Sequence, residues 1–138
     1  MNRIICIGNR FVAADAAGPA VFDRLAARDL PADVELIDGG LGGLSLMRWF
    51  DGAEKIVFVD SVHGFGRPGE VLALDASAIA ARADAADAHG AGLPYLLRAA
   101  PLVGGLPPIH IVGIEGASTA AAIEQAAAAA LAAAGGEP

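Results

Sequence analysis

The chain alternates between short apolar runs and segments whose apolar residues recur at helical spacing. Arg3 to Ile7 is a continuous β-branched run, the pattern of a strand buried on both faces. Gly18 to Arg28 follows as a helix: Pro19 suits its first turn, and Val21, Phe22, Leu25 and Ala26 share one face. Val34 to Ile37 reads as a second strand, ending at Asp38-Gly39-Gly40. Gly43 to Phe50 reads as a short helix with Leu44, Met47 and Phe50 inward, and Lys55 to Val59 as a third strand ending at Asp60. The loop from Ser61 to Pro68 is too short for a parallel crossover, so Glu70 to Leu74 is expected to run antiparallel. Ser77 to Arg82 is a weak helix, and Ala83 to Ala91 has a loop composition. Gly92 to Ala100 is a helix stopped by Pro101. Ile109 to Val112 is the last strand, ending in Gly113-Ile114-Glu115-Gly116, and Ala117 to Ala134 is the final helix.

This order predicts one α/β domain over residues 1–138. It is a three-layer sandwich, with a five-stranded, mostly parallel sheet, one antiparallel strand, and helices on both faces. Composition agrees: 55% of residues are hydrophobic, enough to exclude disorder, although much of that is alanine. Lys plus Arg total 9 against 16 Asp plus Glu, a net charge of -7, so no basic patch suggests nucleic acid or a membrane surface. The single cysteine, Cys6, excludes an intramolecular disulfide and a cysteine-built zinc site; within an apolar run it reads as a small core residue. Gly8-Asn9-Arg10 breaks the opening run too early for a signal peptide, and the cytoplasm is the expected compartment.

In open parallel sheets, ligands bind beyond the carboxyl ends of the strands. Asp15 lies in the loop after the first strand, Asp38 ends the second, Asp60 ends the third, and His89 precedes a helix. Asp15, Asp60 and His89 form an oxygen, oxygen and nitrogen set suited to a divalent transition ion with open positions. Taken singly, Asp15 reads first as a helix cap, Asp60 as a loop cap and His89 as an ordinary surface histidine. Ser61 and His63 flank Asp60, but residues so close on a strand exit do not readily meet as a catalytic triad. Gly8-Asn9 followed by Gly18 is not a dinucleotide fingerprint. Trp49 and Phe50 read as core, and His110 as a partly buried strand residue. Position alone leaves open a small α/β module that binds a metal or a phosphate-bearing ligand without protease activity.

The ordered set narrows the choice. Ile7-Gly8-Asn9, Asp15 and Gly18, Asp38-Gly39-Gly40, Val59-Asp60 with Pro68-Gly69, His89 with Gly92-Leu93, and Val112-Gly113-Ile114 resemble the [NiFe]-hydrogenase maturation endopeptidases from Ile4 to about Ala134. The resemblance implies a hydrolase, aspartic-type by family assignment, that removes the C-terminal extension of a hydrogenase large-subunit precursor after nickel insertion. It implies nickel ligation by Asp15, Asp60 and His89, the nickel ion being supplied by the precursor. Asp38 is added as an auxiliary catalytic carboxylate. The expected partner is the precursor alone, met by a monomer, with no nucleic acid and no membrane. The sequence departs from the family pattern at Ala14, where many relatives carry a second acid, at Leu41, where threonine is usual, and around His89, in Asp87-Ala88-His89-Gly90.

Overall fold

The computed structural model describes residues 1–84, 92–102 and 104–135. Five strands form one sheet: β1 (Asn2–Ile7), β2 (Val34–Gly40), β3 (Lys55–Val62), β4 (Val71–Leu74) and β5 (Ile109–Glu115). Their order is β2-β1-β3-β5-β4; the first four of these are mutually parallel, and β4 pairs antiparallel with β5. The helices are α1 (Ala17–Ala26), α2 (Ala76–Ala80), α3 (Leu93–Ala99) and α4 (Ala120–Gly135), with 3-10 segments at Ala13–Asp15, Leu44–Phe50, Ala81–Asp84 and Ala100–Leu102.

Side chains alternate across each strand and so build two cores. Ile4, Cys6, Val57, Val59, Val112 and Ile114 pack against Val21 and Leu25 of α1 and the buried alanines of α4. Ile5, Ile7, Ile56, Phe58 and Ile111 pack on the other face against Leu46, Phe50, Ile79, Leu93 and Leu96. The sandwich is therefore three-layered, as its pattern predicts. On the first face, α1 and α4 are also tied by Arg24 and Arg28, which both donate to Glu124. At the amino-terminal edge, Arg3 donates to Glu35 of β2 and to the carbonyls of Trp49 and Asp51, at 2.9, 2.6 and 2.7 Å. It also lies over the half-buried Trp49 ring.

Three local expectations change. In the segment Leu44–Phe50, Leu46 and Phe50 are buried while Leu44 is 48% exposed. The segment is entered through Gly43 at φ 99°, and the bond from Leu46 N–H to Gly43 O starts its first turn, so this entry sets the helical phase. β3 runs past Asp60 to Val62, because β5 continues to pair with it as far as Val62 opposite Glu115. His110 is exposed, because the β4 ladder ends with Leu74 opposite Ile111.

The closest packing joins α1 to β1. A Cβ on Gly18 would stand 1.9 Å from the carbonyl oxygen of Ile7, so only glycine allows the first turn of α1 to rest on the exit of β1. Gly18→Ala is expected to cost about 3 kcal/mol, the upper range of an overpacked core. A urea-unfolding midpoint equal to that of the unmodified protein would show that this approach is relaxed at no cost.

Candidate active site

β1 has a parallel neighbour on each side. The chain leaves it through α1 on one face to reach β2, then crosses by the Leu44–Phe50 segment on the other face to β3. The winding reverses between β1 and β3, and their carboxyl ends border a crevice, the place where such sheets bind ligands. The β1–β3 ladder stops at Cys6 opposite Val59. Asp60, the next residue, keeps Gly113 of β5 as its partner and has no partner on the β1 side.

The loop that leaves β1 brings Asp15 to this crevice. Asn9 N–H donates to the carboxylate of Asp15 at 3.1 Å and to its carbonyl at 2.9 Å. The Asn9 side chain accepts the N–H of Phe11 at 2.9 Å, and Asp15 N–H donates to Val12 O at 2.8 Å. Arg10 pairs with Asp23 of α1 at 3.0 Å and approaches Asp38 to 4.0 Å. Gly8 N–H donates to Gly40 O at 2.7 Å, joining this loop to the end of β2. Asp15 is thus fixed from both ends of a short, closed loop.

Asp60 is 9% exposed. Burial holds its carboxyl well above the usual carboxylate range, the negative charge of Asp15 raises it further, and the backbone N–H of Ser61 offsets part of this. Asp15 and Asp60 therefore act on each other electrostatically. By strand alternation Asp60 projects to the side of Phe58 and Val62, and Ser61 to the α1 side, where its hydroxyl accepts the N–H of Ala17 at 3.4 Å. Asp60, Ser61 and His63 do not converge as a triad. Asp38 stands apart: its side chain is exposed and accepts the N–H of Gly40 at 3.1 Å. His89 lies outside the described residues. Among the described residues, no three His, Cys, Asp or Glu side chains are grouped to hold a metal. Cys6 is fully buried, and burial, followed by the charges of Asp38, Asp23 and Asp60, pushes its thiol far up; it is inert core.

Two residues of this edge escape a reading of the sequence. The carboxylate of Glu115, at the end of β5, accepts the N–H groups of Gly64, Phe65 and Gly66 at 2.7, 2.8 and 2.9 Å. Arg82 holds the same turn from outside. Its guanidinium lies 4.2 Å from the Phe65 ring centroid and donates to the carbonyls of His63 and Gly64. The turn that follows Asp60 is clamped through both its N–H and its carbonyl groups. The one available signal for Glu115 is an acidic residue closing an apolar strand. Arg82 carries no sequence signal, because its partners are backbone atoms distant along the chain.

The hydrogenase maturation protease family (HycI) matches residues 19–134 of this sequence. The chain belongs to that family. A curated relative, the hydrogenase expression/formation protein HupD of Rhodobacter capsulatus, is 30% identical over 107 residues. The match takes in 75% of this chain but 51% of HupD, so the chain spans about half the length of that relative. Among solved structures, a hydrogenase 2 maturation peptidase from a Thaumarchaeota archaeon is 29% identical, with a TM-score of 0.59, covering 94% of this chain and 91% of its own. An endopeptidase from Escherichia coli is 25% identical, with a TM-score of 0.74, covering 95% and 88%. As a member of the hydrogenase maturation protease family, the chain carries Asp38, Asp60 and His89 inside the matched span and Asp15 just before it.

The raised carboxyl of Asp60 makes a signed prediction. The folded form binds this proton more tightly than the unfolded chain does. The contribution to stability is complete below the unfolded value of about 3.9 and is lost as pH rises through the folded value. Asp60→Asn should therefore melt roughly 4 °C higher than the unmodified protein at pH 7, the two converging below about pH 4. Equal melting temperatures at pH 7, by calorimetry, would remove the electrostatic cost assigned to Asp60.

Glu115 has the opposite sign. Burial raises its carboxyl, but the N–H groups of Phe65, Gly64 and Gly66, with His63, bring it below the usual range. Its contribution is present above its unfolded value and lost as pH falls through the lowered folded value. Glu115→Ala, which hands these partly exposed N–H groups to water, is expected to cost about 1 kcal/mol in urea unfolding at pH 7.

Proposed function

We propose that this protein is an endopeptidase that removes the C-terminal extension of a [NiFe]-hydrogenase large-subunit precursor after nickel insertion, a maturation step carried out in the cytoplasm. Family membership supports the reaction class. The observation that carries the reading is the pair formed by Asp15 and the buried Asp60 where the winding of the sheet reverses. Two carboxyl groups that repel each other in a partly dry crevice attract a cation, which would let both ionise together. Their oxygens suit a divalent transition ion, and His89 is the third ligand in this reading. Nickel arrives with the precursor as part of the substrate.

Asp15 and Asp60 would then recognise a precursor that carries metal and hold its polypeptide beside them. This orientation is itself a large part of catalysis. The metal, when bound, supplies Lewis-acid polarisation. Before the precursor binds, Asp60 keeps its proton to higher pH than an ordinary carboxyl, so ligation of the precursor's metal would release that proton. Cys6 is sealed in the core and Ser61 turns to the α1 side of the sheet, which leaves the carboxyl groups as the reactive side chains of this reading.

Mass spectrometry of a nickel-loaded and a nickel-free precursor, each incubated with the protein, tests this reading. Loss of a C-terminal peptide from the loaded form alone is expected. Cleavage of both forms removes nickel recognition and retains the peptidase; cleavage of neither removes the peptidase. Asp15→Asn, Asp60→Asn and His89→Ala should each lower cleavage at least about 100-fold with unchanged circular dichroism. A folded His89→Ala protein with a normal rate would sink the three-ligand model.

A further inference from the structure

Eight large apolar side chains are substantially exposed among the described residues; three of them lie in the two loops that follow β1 and β2, and a fourth opens the 3-10 segment beyond β2. Phe11 is 90% exposed and Val12 48%, both in the loop that carries Asp15; Leu41 is 65% and Leu44 48% exposed, both just beyond β2. The loops are joined by the bond from Gly8 N–H to Gly40 O. Arg10, next to Phe11, reaches across to within 4.0 Å of Asp38, three residues before Leu41. Its charge is matched by Asp23 and Asp38, which leaves these apolar side chains as the distinctive chemistry of the surface.

Phe11 is not exposed through looseness. The Asn9 side chain holds its N–H, Asn9 is bonded to the carboxylate and carbonyl of Asp15, and Asp15 N–H closes on Val12 O. The bonds that position Asp15 also position the Phe11 backbone, at a fixed place along the same loop. A fixed aromatic group in water gains nothing within the chain, and clusters of this kind mark contact surfaces. Aromatic side chains commonly dominate the energetics of such contacts.

We propose that Phe11, with Val12 and the flanking Leu41 and Leu44, forms the docking surface for an apolar segment of the precursor polypeptide as it enters the crevice. The occupant follows from continuity: Phe11 and Val12 stand in the same closed loop as Asp15, so a polypeptide held at Asp15 passes within reach of them. The inference rests on the precursor-processing reading and adds a specificity-determining residue to it.

The test uses the full chain and the nickel-loaded large-subunit precursor. Phe11→Ala should raise KM about tenfold or more, with the larger share of the loss in KM rather than kcat, and Phe11→Leu should recover part of it. Leu102→Ala, at an equally exposed apolar position in the 3-10 segment Ala100–Leu102 before β5, should leave KM unchanged. A photo-crosslinking amino acid in place of Phe11 should capture the precursor, and one in place of Leu102 should not. If the unmodified protein cleaves while Phe11→Ala keeps its KM and no crosslink forms, the docking surface falls and the peptidase stands. Crosslinks between two copies of this chain would overturn the proposal and assign the surface to a homodimer. If the unmodified protein neither binds nor cleaves the precursor, both readings fall.

Discussion

A carboxyl group that is 9% exposed at the exit of a parallel sheet is an expensive feature, and much of this molecule is arranged around it. Asp60 keeps β5 as a neighbour after β1 has turned away, so one side of its strand is open at the point where the chain must accept another negative group. The β1 loop brings Asp15 to that opening instead of directing it to solvent. The repulsion between the two is held in place by neutral backbone bonds and by packing. The strand order thus places a buried carboxyl, whose ionised form burial and Asp15 both disfavour, at the mouth of the crevice.

The supporting structure is unusual in its economy of side-chain volume. Helix α4 buries Ala122, Ala126, Ala127, Ala130 and Ala134, with Ile123 as its one large buried residue. Small side chains bring a helix axis close to a sheet and lose little conformational entropy on burial. The same logic operates at Gly18, where α1 rests on the carbonyl of Ile7. Close approach of backbones supplements the packing of large residues, and at Gly18 it lies next to the loop that carries Asp15. The alanine-rich tail, which reads in sequence as compositional bias, is the cover of the first core.

Legibility in the sequence followed period and strand order. The β-branched runs of β1, β3 and β5 and the short link before β4 are explicit, and with them the mixed sheet and its two helical layers. From strand order came the meeting of Asp15 and Asp60, because topology decides which loop ends face each other. Phase within a short helix was not legible: Leu44 and Leu46 exchange places according to the backbone entry at Gly43, which spacing does not encode. Nor was the clamp around residues 63–66, since Glu115 and Arg82 act there on backbone groups that every sequence possesses. Asp38 was legible as a carboxylate at a strand end but not as one turned to solvent and bonded to Gly40 N–H.

The burial of Cys6 has a meaning beyond packing. It is the chain's only thiol, it belongs to the strand that leads to the acidic crevice, and no solvent reaches it. Oxygen ligands exchange readily on a divalent ion, whereas thiolates hold soft metals firmly. Under the proposed function, a protein that presents carboxylates and walls in its sulfur would touch a metal held by the precursor and let go of it again: the chain would inspect the cargo without keeping it.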